Sequence, residues 1–120
     1  MATYTKTILS GSTDGKGIKV VQTATAGTTI HTCSSTATDL EEIWLWAYNS
    51  HTAAVLLTIE FGGATAPDQN IVVTVPFKEG LFCVVPGLLL KGNETPLTVK
   101  AFAASANVVT ISGFVNKIAE

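Results

Sequence analysis

Apolar residues alternate in the middle of the chain in a way that predicts a β-strand with two apolar faces. Successive side chains of a strand point to opposite sides of the sheet. A sheet with one face in water alternates apolar with polar residues, but the run from 43 to 48 has no polar position. We therefore expect the second sheet of the domain to cover one face and a partner chain to cover the other. The two faces carry Trp44, Trp46 and Tyr48, and Ile43, Leu45 and Ala47.

Shorter β-prone runs recur along the rest of the chain and predict an all-β domain. Gly, Pro, Asn and Ser separate them at intervals of roughly 8–12 residues, the spacing of an antiparallel β-sandwich, and jelly-roll connections fit the eight or nine strands. Ile43–Tyr48 and Ala54–Phe61 are expected to pair as an antiparallel hairpin or meander, and Pro76 indicates either an edge position or the end of its strand. The other expected strands are Ile18–Gln22, Thr28–Cys33, Asn70–Phe77, Gly80–Val85, Leu88–Lys91, Pro96–Ala103 and Val108–Lys117.

The length of 120 residues suits one domain. Residues 1–16 read as a flexible N-terminal arm with at most one short strand over Thr3–Leu9, followed by a glycine- and serine-rich stretch. Residues 17–120 read as a single β-sandwich domain. Thr38–Glu41 matches a capping box, which we interpret as a tight turn before the strand.

The chain has few charged residues, and this excludes some classes of binding partner from what we expect. Charged residues make up 13% of the chain, against roughly 25% in an average protein. The net charge is -2, the cations are seven lysines, and arginine is absent. Nucleic acid is therefore not an expected partner. No secretory signal and no membrane-spanning stretch is visible, which favours synthesis in a reducing cytosol. Cys33 and Cys83 either pair as a disulfide or fill the core as free thiols.

Candidate chemistry is sparse. His31 and His51 are far apart and form no His-x-His pair, so we expect both to be structural or solvated. The acidic group of Asp39, Glu41 and Glu42 lacks the spacing of a calcium loop, and the glycines near the N-terminus lack a phosphate-loop motif. We expect no catalytic residue, no cofactor and no metal, and hence no enzyme.

The aromatic stripe allows two interpretations. In a core or subunit interface, each ring fills space between apolar surfaces. On an exposed face, Trp44, Trp46 and Tyr48 would stack on sugar rings, with Asn49 and Glu60 as the obvious polar partners. Burial in a core or interface is the favoured interpretation.

Three strings carry a resemblance to a known class of protein: Gly17-Ile18-Lys19-Val20, Thr28-Thr29-Ile30-His31-Thr32 and Glu42-Ile43-Trp44-Leu45-Trp46-Ala47. They resemble small virion proteins of tailed bacteriophages, of the head decoration or cement type. The similarity extends over most of the chain, but it consists of general character and short strings and includes no signature motif.

The resemblance implies a homotrimeric protein of the virion, assembled in the host cytoplasm, that binds the major capsid protein or another virion protein and stabilises the lattice. A membrane is not an expected partner. The alternative is a tail or adhesion module that binds host-surface glycans. Candidate residues for the subunit interface are Trp44, Trp46, Tyr48, Ile43 and Leu45, and candidates for a capsid-contacting arm are Tyr4, Lys6, Ile8 and Leu9.

Overall fold

The computed structural model describes residues 2–119, which form nine β-strands and no helix. The strands are β1 (Thr3–Ile8), β2 (Ile18–Lys19), β3 (Thr28–Thr32), β4 (Leu40–Asn49), β5 (Val55–Phe61), β6 (Asn70–Val75), β7 (Phe82–Lys91), β8 (Thr98–Ala103) and β9 (Val109–Ala119).

Two antiparallel sheets pack face to face, which confirms the predicted β-sandwich. Sheet A has the order β1-β9-β4-β7, with β2 pairing to β9, and sheet B has the order β3-β8-β5-β6. The predicted hairpin between β4 and β5 is wrong, because these consecutive strands lie in different sheets. Each instead pairs with strands distant in sequence, β4 with β7 and β9, and β5 with β6 and β8. Strand β6 lies at an edge and ends at Val75, directly before Pro76, so both positions predicted from this proline are found.

The core lies between the sheets and takes one face of β4. Ile43, Leu45 and Ala47 are fully buried, and Leu57 and Ile59 of β5 are buried opposite them in sheet B. Fully burying a leucine or isoleucine side chain stabilises the fold by about 1.5–3 kcal/mol. The inner face of the central strand is therefore the aliphatic one, and the aromatic side chains face outward.

The predicted flexible N-terminal arm is not confirmed. Residues 3–8 form β1, which pairs with β9 from Thr3–Ala119 to Ile8–Phe114 without a register shift. Leu9 follows with 1% of its surface exposed and belongs to the core. The backbone N–H of Gly11 then donates to the carbonyl of Ile30. The N-terminal segment is thus an edge strand of sheet A.

Strand β7 corrects a second prediction, because Pro86-Gly87 does not end a strand. The two runs expected on either side form one strand with two register shifts against β4. Pro86 is tolerated since β7 is an edge strand, where a missing donor costs little, and Gly87 adopts the positive φ of 78°. Bulges and proline of this kind blunt a sheet edge. Strand β2 is also shorter than predicted, with only two residues.

Candidate functional site

A buried polar cluster of His31, Cys33 and Glu41 joins three parts of the fold. His31 is on β3, Cys33 follows that strand, and Glu41 lies on β4. The His31 Nε2 and Glu41 Oε1 atoms are 2.7 Å apart, and the backbone N–H of Ser10 donates to His31 Nδ1 at 3.0 Å. Since Nδ1 accepts this bond, the proton of a neutral ring is on Nε2 and is donated to Glu41. The cluster therefore ties the end of β1 to both sheets.

The same hydrogen bonds argue against a metal at this position. One ligand atom from each residue of the buried polar cluster lies within 4.8 Å of the others, which resembles a three-ligand site. A metal on Nε2 would require the proton on Nδ1, where it would face the N–H of Ser10 instead of the acceptor that metal-bound histidines normally have. Burial, followed by the charge of Glu41 and a hydrogen bond to it, raises the pKa of Cys33 to about 12. The thiol is thus held protonated, and the cluster is structural.

The acidic residues that neighbour each other in sequence divide between two sides of sheet A. Asp39 accepts a hydrogen bond from the Ser34 hydroxyl at 2.6 Å and lies 3.4 Å from the ammonium of Lys117. Glu41 points inward to His31, whereas Glu42 points to the outer face of β4. The capping-box interpretation is wrong for Glu41, although the segment before β4 is indeed a tight turn, closed by Asp39 N–H and the carbonyl of Thr36. Asp39 and Glu41 thus both accept hydrogen bonds from Ser34, whereas Glu42 accepts from Trp44 and Asn116 on the outer face.

The outer face of sheet A carries an aromatic cluster of Trp44, Trp46 and Phe114. The centroids are 6.0 Å apart for the two indoles, and 6.3 and 5.9 Å from Phe114 to Trp44 and Trp46. The ring planes differ by only 16–29° among the three pairs. Three nearly equal distances exclude a single column of rings, so each ring is offset from the other two, which is a favoured aromatic arrangement. All three are half-buried, as is Tyr48.

Backbone and polar neighbours fix the position of Trp44. A β-carbon at Gly87 would lie 2.7 Å from Cζ2 of Trp44, so the absence of a side chain there lets the indole fit against β7. The indole also has a polar contact, in which Nε1–H donates a hydrogen bond to Glu42 Oε1 at 2.8 Å. The ring is therefore held in one orientation before any ligand binds.

Polar groups border the aromatic cluster on one side. Asn116 Nδ2 donates to Glu42 Oε1 at 2.8 Å, and the Lys6 ammonium lies 4.8 Å from the centroid of Phe114. The hydrogen bonds from Asn116 and then Trp44 lower the pKa of Glu42 below its ordinary value, so this carboxylate is ionised at neutral pH. A groove of about 320 Å³ next to it is lined by Lys6, Glu42, Asn116 and Tyr4.

The polar partners predicted for a sugar site are elsewhere. Asn49 is fully buried and donates through Nδ2 to the carbonyls of Ala53 and Val75. Glu60 is 1% exposed and accepts hydrogen bonds from the Thr25 hydroxyl and the Gly27 N–H. Both hold loops. Glu42 and Asn116 stand beside the rings instead, and Asn116 and Phe114 were not recognised from the sequence, since only the pairing of β9 with β4 brings them there.

A second feature is an apolar surface at the start of β7, made of Phe77, Leu81, Phe82 and Cys83, here called the β7 apolar surface. Leu81 is 61% exposed, Phe77 48% and Phe82 38%. Cys83 pairs with Trp46 and Phe82 pairs with Ala47, so this surface wraps around the edge of sheet A. Cys83 lies beside the outer face of β4, and Phe82 lies on the opposite side of the sheet. Cys83 is an exposed free thiol and Cys33 a buried one. Of the two alternatives predicted, the disulfide is not formed, and a place in the core is found for Cys33 alone.

The interface and arm candidates thus divide by location. Ile43 and Leu45 are inaccessible in the core, and so is Leu9, whereas Tyr4 and Ile8 are 75% and 53% exposed on β1. The remaining candidates also face outward: Lys6 is exposed, and Trp44, Trp46 and Tyr48 are half-buried on the outer face of β4.

Comparisons with protein families, with characterised proteins and with solved structures found no match for this chain. Residues 2–119 include no helix with the length and apolar character needed to cross a membrane.

Proposed function

We propose that this protein is a non-enzymatic structural component of a virion, which self-associates and binds a capsid lattice to stabilise it. The observation that carries the proposal is the concentration of exposed apolar side chains around β7. Five of the ten large exposed hydrophobic residues found in the described chain fall between positions 77 and 89. Exposed apolar patches of this kind mark protein–protein contacts.

Self-association is assigned to the β7 apolar surface together with Trp46 and Tyr48 beside it. Burying an exposed leucine or phenylalanine contributes up to about 1.5–3 kcal/mol. The strand carries no charge over residues 82–85, and the exposed Lys78 and Glu79 in the turn before it are the charges that a partner copy would have to accommodate. The blunted backbone edge at Pro86 disfavours simple strand addition, so we expect side chains to form the contact. The expected assembly is a homotrimer, the stoichiometry implied by the resemblance to decoration proteins.

Capsid contact is assigned to the N-terminal segment, with Tyr4, Lys6 and Ile8 as the exposed candidates. Strand β1 is an edge strand with a regular backbone, which suits association with an extended segment of another protein. Leu9 supports this surface from the core and does not contact the partner.

The strand order supports the same class of protein. Without the two-residue β2, the eight strands divide so that the first, eighth, third and sixth form one sheet, and the second, seventh, fourth and fifth form the other. We infer that the connections are those of a jelly roll, an architecture that viral capsid domains share with lectins and cupins. Since one fold serves many functions, this order supports the proposal only together with the exposed surfaces.

The test combines one variant for each surface with a matched control on sheet B. Leu81→Asp is expected to weaken self-association, and Tyr4→Ser with Ile8→Ser to weaken co-sedimentation with capsids of the phage that encodes the chain. Val72→Asp and Val72→Ser are the respective controls, because Val72 is 58% exposed on the edge strand β6. Deletion of the N-terminal segment is unsuitable, since it removes β1 and Leu9. Unchanged capsid binding by the double variant would contradict the assignment to β1, and no binding by the unmodified protein would contradict the proposed function.

A further inference from the structure

We propose that the polar side of the aromatic cluster is a binding site for a neutral hexopyranose, formed by Trp44, Phe114, Glu42, Asn116 and Lys6. This inference goes beyond the proposed function and does not depend on it. It concerns the outer face of sheet A next to β1, whereas self-association is assigned to the start of β7. The site complements the two kinds of surface that a sugar presents, namely its layer of C–H groups and its hydroxyl groups.

Rings supply the first kind of contact. One side of a pyranose is a layer of C–H groups, which carry weak positive charge and pack on the negative face of an aromatic ring. Trp44 and Phe114 are neighbours across β4 and β9, and their planes differ by 17°. The Lys6 ammonium already lies over the Phe114 ring at 4.8 Å, so Trp44 is the ring on which the sugar would pack and Phe114 borders it. Because Gly87 and Glu42 already fix the indole, binding would order few side chains, which lowers its entropic cost.

Hydrogen-bonding groups supply the second kind. Both bonds to Glu42 end on the same oxygen, Oε1, so Oε2 remains an acceptor for a ligand hydroxyl. Bonds to an ionised acceptor are about twice as strong as neutral ones, and the lowered pKa keeps Glu42 ionised. Asn116 and Lys6 lie in the same row across the sheet and offer an amide oxygen and an ammonium to further hydroxyls.

Size and charge define the class of ligand. The adjoining groove of about 320 Å³ is lined by Lys6, Glu42 and Asn116 and by neither aromatic ring of the site. Its volume is at the lower end of the range for small-molecule sites, which suits one sugar unit beyond the unit that packs on Trp44. An ionised Glu42 beside the ring disfavours a carboxylated sugar in direct contact with it. The expected ligands are therefore uncharged hexoses or chains that end in one.

The experiment is a titration of the full-length protein, followed by the NMR signal of the Trp44 indole N–H. The probes are methyl β-D-glucopyranoside, methyl β-D-galactopyranoside and methyl α-D-mannopyranoside, with N-acetylneuraminic acid as the charged comparison. A saturable shift with at least one neutral glycoside, with a dissociation constant on the order of 1 mM, is the expected result. Glu42→Gln should weaken binding at least tenfold, because the second oxygen becomes a donor amide. Glu94→Gln, which alters an exposed carboxylate outside the site, should leave binding unchanged.

Three outcomes would overturn the inference. They are no saturable shift with any neutral glycoside, binding of N-acetylneuraminic acid alone, and a Trp44 signal that responds to protein concentration but not to sugar. The last would mean that another copy of the chain covers this face. Leu81→Asp separates the two proposals, since it should lose self-association and keep sugar binding.

Discussion

Glu41 and Glu42 are adjacent carboxylates on opposite faces of β4, and they provide a sharp test of the buried polar cluster. Glu41 is 4% exposed and accepts from His31 Nε2 and the Ser34 N–H. Glu41→Gln keeps the shape but replaces one acceptor oxygen by a donor NH₂. One of the two bonds is then lost, and its donor faces another donor in a buried site.

The magnitude follows from these contacts. A hydrogen bond to a charged group contributes about 1.5–3 kcal/mol, and a buried donor without a partner costs about 1–3 kcal/mol. Because glutamine is neutral, the variant no longer has to bury the charge of Glu41, which offsets part of this sum. We therefore expect a loss of roughly 2–4 kcal/mol in the free energy of unfolding. Because small domains are stable by about 5–15 kcal/mol, the variant should still fold.

The assay is urea unfolding followed by tryptophan fluorescence. With a slope of about 2 kcal/mol per molar urea, the middle of the usual range, the midpoint of Glu41→Gln should fall by roughly 1–2 M. Glu42→Gln is the matched control, since its remaining oxygen can still accept from Trp44 and Asn116, and a change within about 0.5 kcal/mol is expected. Equal losses in the two variants, or no loss in Glu41→Gln, would refute the role assigned to the cluster.

Two further predictions concern glycines and thiols. Gly87→Ala should destabilise the protein by roughly 2–4 kcal/mol and shift tryptophan emission, because the new β-carbon meets both an unfavourable φ and the Trp44 ring. Gly80→Ala, at a similar φ of 76° with open space around it, should cost only about 1–2 kcal/mol; equal urea midpoints would contradict this reasoning. At pH 9, iodoacetamide should label Cys83 in the folded protein and spare Cys33, whose pKa is raised to about 12. Rapid double labelling, read by mass spectrometry, would show that Cys33 is not enclosed.

The sequence pattern was sufficient for the fold class and for the two faces of β4, because alternation is a local property of a strand. Strand pairing was not predictable in the same way. Neighbouring strands β4 and β5 joined different sheets, and Pro86-Gly87 was absorbed by an edge strand instead of ending it. Both outcomes depend on which strands lie alongside, which a local pattern does not encode.

The candidate site shows the same division. Trp44 was recognised from the aromatic stripe, but Phe114 and Asn116 come from a strand about 70 residues away and reach the site only through the register of β9 against β4. Asn49 and Glu60 were expected near the rings because they are close in sequence or polar in type. Each proved to be buried at a loop that it holds in place.

Self-association through the β7 apolar surface determines the native mass of the protein in solution. Light scattering on a sizing column, across a hundredfold range of concentration, should give about three times the 12.5 kDa of one chain. Leu81→Asp should shift the mass toward that of one chain, and Val72→Asp should not. A monomer at every concentration would contradict the account.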